Sequence, residues 1–267
     1  MGPVRGAIPV LWIVGIMLAG CETPQPARTA TNVSAVEASV EVGGDGLIVR
    51  SFLAKGSPDG LVSVLGDLGS AACSAERSQR LEIDGLFVRK VDMLDLPAIV
   101  ASVGDIEPGR VDWHGQVYRW RDMQQTAIAA PGVLIAASGT TYLVDRGWLT
   151  LLGRSWTVER ETGRHVYLQI VPVWHVPGSV ATIPGQTPPP RHSRVFDELE
   201  VECMLKPGEA LLIAVPMRHA PSDITGPQDD GPAALRLGEA IMGGIRGDED
   251  VVSFIAFEAC SSEEAHW

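Results

Sequence analysis

The sequence predicts an α+β fold: a small α/β repeat unit followed by a mostly antiparallel β domain. Two observations carry that prediction. A strand-and-helix pattern occurs twice between residues 46 and 107, and beyond residue 108 the apolar residues alternate with a period of two. A third sets the scale. With 267 residues, 45% of them hydrophobic and 20% charged, the chain has enough apolar side chains to bury a core. The formal net charge of -12 excludes a nucleic-acid partner, which needs basic surface to displace counterions.

Taken in order, residues 1–20 read as an export signal. Arg5 gives a cationic start, residues 7–18 are apolar, and Ala19 and Gly20 are small residues at a cut site. The apolar run is shorter than the roughly 20 residues a membrane-spanning helix needs. Leu18, Ala19, Gly20 and Cys21 resemble the lipobox of bacterial lipoproteins residue for residue. The resemblance implies cleavage between Gly20 and Cys21 and a diacylglycerol on the Cys21 sulfur. The first partner would then be a membrane, reached through the N-terminal lipid at about 0.8 kcal/mol per buried CH₂. Glu22 stands where an inner-membrane retention aspartate would, so the expected address is the cell envelope, at the outer membrane facing the periplasm. Residues 21–45 carry Pro24, Pro26, many small polar residues and Gly43, Gly44 and Gly46, the composition of a flexible tether. A chain of that length spans roughly 27 Å root-mean-square.

Residues 46–107 form the repeat unit. GLIVRSF at 46–52 matches GLFVRKV at 85–91, each a strand rich in β-branched and aromatic residues. A proline follows each at the same distance, Pro58 and Pro97, where it can open a helix. The helices are expected at 59–68 and 98–103, running into the matching segments LGDL at 65–68 and VGDI at 103–106. Two such units imply helices on one face of a sheet.

The β domain is placed at 108–260, with a tail at 261–267. Val166, Leu168, Ile170, Trp174 and Val176 alternate with His165, Tyr167, Gln169 and His175. Leu199, Val201, Cys203 and Leu205 alternate with Glu198, Glu200 and Glu202, which reads as a strand with a solvated acidic face. Lys206, Pro207, Gly208 and Glu209 supply a type II turn before an apolar strand at 210–215. Further strands are expected at 126–137, 141–150, 156–160 and 251–259, and loops at 177–190 and 221–232.

Beyond Cys21 there are three cysteines, Cys73, Cys203 and Cys260, with no CxxC spacing. In an oxidising compartment Cys203 and Cys260 are the better-matched pair for a disulfide, while the other reading makes all three small buried hydrophobes. Ser138 lacks the first glycine of a nucleophile elbow, and no phosphate loop, dinucleotide fingerprint or HExxH helix occurs. The six histidines are scattered singly, and His165 and His175 read as solvent-facing residues rather than a metal pair. The acidic runs 229–230 and 248–250 lack a calcium-loop pattern. No metal, cofactor or catalytic residue is therefore assigned, and a non-enzymatic role is expected. The seven tryptophans are the oddest feature. Most read as core fillers, but Trp148, Trp156 and Trp174 could instead line a ligand-binding β face.

The later strand motifs resemble the C-terminal β domain of secretins, the outer-membrane ring proteins of secretion and pilus systems. The residues that carry the resemblance are VYLQIVP at 166–172, LEVECMLKPGEALLIA at 199–214, LGEAIM at 237–242 and the apolar run at 251–259. It implies a structural or assembly role in an envelope complex or homo-oligomer. The alternative is a tethered periplasmic module for a ligand or peptide, which requires an open apolar groove beside Trp148, Trp156 and Trp174.

Overall fold

A computed structural model describes residues 43–176, 193–217, 234–243 and 250–261. The signal, the Cys21 lipidation site and its Gly20 cleavage partner, most of the tether, both predicted loops and the tail beyond Ser261 lie outside the described residues. The fold is α+β and mainly antiparallel. Among the described residues, fourteen strands form three sheets.

The first sheet has six strands in the order β2 (Ser70–Ala71), β3 (Phe87–Asp92), β12 (Glu209–Met217), β14 (Val251–Cys260), β1 (Gly46–Lys55) and β4 (Asp105–Gly115). Every neighbouring pair in it is antiparallel. The second sheet is built on β5 (Val117–Ile128), β8 (Gly147–Arg160) and β9 (Gly163–His175). Two short strands, β10 (Ser193–Val195) and β11 (Val201–Leu205), share the remaining edge of β9 on either side of a 3-10 turn at Asp197–Leu199. The third sheet orders β13 (Leu235–Arg236), β6 (Val133–Ala137) and β7 (Thr140–Val144), with β13 parallel to β6.

Both faces of the first sheet are buried at its central strands. Two helices, α1 (Leu61–Leu68) and α3 (Leu96–Ala101), cover one face, where Leu61, Leu65, Ile99 and Val100 meet Phe52, Leu212 and Phe254. The opposite face packs Leu211, Ile213, Ile255 and Phe257 against Leu149, Leu151, Leu168 and Ile170 of the second sheet. A sheet buried on both faces needs apolar runs without alternation, and ALLIAVPM in β12 and VVSFIAFEA in β14 supply them.

The repeat is realised in part. β1 and β3 each lead into a helix opened by its proline, and both helices lie on one face of one sheet. The glycine halves do not correspond. Gly66 sits inside α1, whereas Gly104 follows the end of α3 and leads into β4. No domain boundary falls at residue 107, which corrects the expected division into 46–107 and 108–260. The strands that separate β1 from β3 are β12 and β14, so the N-terminal unit has no continuous sheet without the C-terminal third of the chain.

Three other expectations shift. The strand expected at 126–137 is broken at Pro131 and Gly132, the latter at φ +73°, which divides β5 from β6. Those expected at 141–150 and 156–160 redistribute, so that β8 runs unbroken through 150–156. Asp197–Leu199 is a 3-10 turn, and the acidic alternation holds only from Glu200 onward. The turn at 206–209 forms as expected, with Gly208 at φ +77°.

A helix with a single buried residue, α2 (Ala75–Ile83), was not expected from the sequence. Ser74 caps it by accepting the Arg77 N–H at 3.4 Å, and only Leu81 reaches the core. Asp84 follows, 3% exposed, and both its carboxylate oxygens lie 3.0 Å from the Ser138 N–H. That bond steadies the tight β6–β7 turn, where Ser138 and Gly139 both take positive φ. Burial raises the Asp84 pKa, the Ser138 N–H opposes the rise, and the Glu198 charge adds to it. A raised carboxyl pKa contributes stability that is full in acid and is lost as pH climbs through the folded value. The melting temperature of Asp84→Asn should therefore gain on that of the native protein as pH rises from acid to neutral. A variant that instead loses ground to the native protein over that range would reverse the sign.

Candidate functional site

The second sheet has a core face and an outer face. Along β8, Leu149 and Leu151 point into the core, so Trp148, Thr150, Leu152, Arg154 and Trp156 occupy the opposite face. In β9, Trp148 pairs with His175, Arg154 with Gln169 and Trp156 with Tyr167. The three tryptophans singled out from sequence therefore separate. Trp148 and Trp156 are on the outer face, while Trp174 packs against the core. The groove expected beside all three is not formed by them together.

A different tryptophan completes the outer face. Trp120, on β5, and Trp156 flank the Arg154 guanidinium, with ring centroids 4.9 and 5.5 Å from its central carbon. Trp156 also packs on Tyr167 at 4.4 Å between ring centres. Arg154 Nε donates to Gln169 Oε1, and Gln169 Nε2 donates to Glu200 Oε1. The Glu200 carbonyl accepts from Arg77 Nη1 at 3.1 Å, which ties α2 to this edge. A cation, an amide and a carboxylate thus form a line across the sheet, straight from Arg154 to Gln169 and diagonal from there to Glu200, since the register partner of Gln169 is Glu202.

This line borders a cleft of about 120 Å³. Leu152, Val171 and Val173 form its floor, a small apolar cluster separate from the main core. Trp120 and Val195 are its walls, and Asp197 joins Glu200 on the acidic rim. Burial raises the Glu200 pKa, helped by the charge of Glu202 and opposed by Arg77 and Arg154. Burial also raises that of Tyr167, whose hydroxyl is hydrogen-bonded to Glu202. The acidic run is therefore only partly the solvated face that alternation suggests, because Glu200 is half-buried and bonded through Gln169.

The other sequence-marked residues lie elsewhere. Cys203 is a buried thiol in β11, while Cys260 ends β14 in the first sheet, and a disulfide between them, one of the two readings of the sequence, is not formed. Burial pushes the Cys203 pKa up to about 12, which makes it a poor nucleophile at neutral pH. His165 is buried rather than solvent-facing, with Nδ1 3.0 Å from the Gly163 carbonyl. His175 is half-buried. Ser138 sits in a hairpin turn, where its backbone N–H donates to the Asp84 carboxylate. Among the described residues no group of three or more His, Cys, Asp or Glu could hold a metal ion, and no helix is long and apolar enough to cross a membrane.

Arg154 and Gln169 were not marked by the sequence. The signal was present: Arg154 shares strand parity with Leu152 and Trp156, an ion on a partly buried stripe. It was hidden because residue 154 fell in a gap between two expected strands. No family model, no curated protein and no solved structure matches this chain.

Proposed function

We propose that this chain is a lipid-anchored protein of the bacterial cell envelope, held at the outer membrane and facing the periplasm, whose second sheet binds a ligand on its outer face. Its role on this reading is recognition and not catalysis. The observation that carries it is Arg154. Two indoles hold its guanidinium beside an apolar cleft, and its Nε is committed to Gln169 while its two Nη groups have no partner among the described residues. A cation fixed in this way, with donors still to offer, is the usual anchor of a small recognition site.

Two measurements test the reading. A Cys21→Ala precursor should lose lipid labelling and membrane association, and retention on the membrane would remove the anchor. Calorimetry against amino acids, dipeptides and simple sugars should find a saturable ligand whose binding is lost in Arg154→Gln. Binding that survives that substitution would place recognition elsewhere.

A second reading, a component of an envelope assembly of the secretin type, has one observation in its favour. β4 is an 11-residue edge strand, paired with β1 and with no strand on its other side among the described residues. Such an edge can accept a strand from a partner. Co-purification of a large complex in mild detergent would support this role, and a monomer would count against it.

A further inference from the structure

We propose that the outer-face cleft binds a free α-amino acid with an apolar side chain, in its zwitterionic form. The inference rests on the ligand-binding reading above and specifies its ligand class. It starts from the spacing of the charges. Gln169 stands between Arg154 and Glu200, using its carbonyl oxygen on one and its amide nitrogen on the other. The two charges are held one amide apart without a direct ion pair. Each keeps hydrogen-bonding capacity: Arg154 its Nη groups and Glu200 its second oxygen. The carboxylate and ammonium of an α-amino acid are likewise separated by a single carbon. Such a ligand can set its carboxylate on the guanidinium and its ammonium on Glu200, with Asp197 on the same acidic rim.

The rest of the cleft fits the remainder of the molecule. Leu152, Val171 and Val173 offer an apolar floor between the charged rim and Trp120. The cleft is small, about 120 Å³, which suits a ligand of the size of an amino acid such as leucine. The same features disfavour other classes. A simple anion would meet Glu200 and Asp197, a simple amine would leave Arg154 unpaired, and a sugar would leave its hydroxyls against the floor. A lipid chain is too long.

The test uses the mature lipidated protein in detergent micelles, titrated with L-leucine, N-acetyl-L-leucine and L-leucinamide. Calorimetry gives the affinities, and the tryptophan Nε1–H resonances report on the outer face. Leucine should bind saturably, and each blocked derivative should bind at least about tenfold more weakly, because each strands one charge of the rim. Arg154→Lys should keep leucine binding in weakened form, while Glu200→Gln should narrow the gap between leucine and its N-acetyl derivative. A blocked derivative that binds as tightly as leucine overturns the proposal. So does the absence of leucine binding up to about 10 mM, well above the affinity range of specific small-molecule sites. If leucine is silent but a leucine dipeptide or a simple sugar shifts the same indole signals, the free amino-acid assignment falls and the ligand-binding reading stands. Silence from leucine, the dipeptide and the sugar alike removes both.

Discussion

Gly104→Ala should destabilise the protein by about 4 kcal/mol, the range reached by severe backbone or packing conflicts. A Cβ on Gly104 would lie 1.9 Å from the Lys55 carbonyl oxygen, and one on Gly56 would lie 2.0 Å from the Val103 oxygen. Both glycines take positive φ, +155° and +154°, which side-chain-bearing residues avoid. The two loops cross there backbone to backbone, at the end of the β1–β4 ladder where Lys55 pairs with Asp105. No side-chain rotation can relieve the contact. For a domain of this size the loss corresponds to a fall in Tm of about 10–15 °C. Gly66→Ala is the control, because its Cβ would meet nothing within 4 Å in the middle of α1. It should raise stability by about 0.5–1 kcal/mol through helix propensity. Equal effects at the two glycines would rule out the backbone contact at the loop crossing.

Phe254→Ala should cost about 3–5 kcal/mol, the usual range for deleting a buried aromatic ring. Phe254 is 0% exposed and stacks on Phe52 at 5.1 Å, beneath the two helices of the repeat unit. Its position in the central strand makes the location of the damage as informative as its size. Hydrogen exchange should accelerate in β1 and β3, some 160 residues and more away in sequence, because β14 and β12 hold those strands together. Denaturation should remain a single transition. Faster exchange confined to residues after 108 would restore the two-domain division.

Where the sequence was legible, the physics was local. The 46–52 and 85–91 strands and their prolines are set by residues a few positions apart, as is the turn at Gly208, and all were found. The order of strands in the first sheet was not legible, since pairing between residues 47 and 259 leaves no local trace. β12 and β14 are apolar on both faces, which announces deep burial but not which neighbours provide it. Helix α2 escaped notice because it is largely polar and buries only Leu81. The site suffered from the same limit. Trp156 was visible as an aromatic in a strand, yet its pairing with Arg154 and Trp120 depends on the register of β5 against β8, which shifts twice along their length. Parity alone could not place Trp120 across from Arg154.

The position of β14 in the sheet also bears on the order of events in synthesis. A nascent chain that has emerged as far as residue 217 holds β1, β3 and β12 but lacks the strand that joins β1 to β12. Pairing over such a separation is slow, and this closure cannot begin until residues 251–260 leave the ribosome. Until then Phe52 and Leu212 have no continuous sheet beneath the helices, and their apolar side chains stay open to chaperones. The sheet therefore closes only once β14 has been made, however early β1, β3 and β12 emerge.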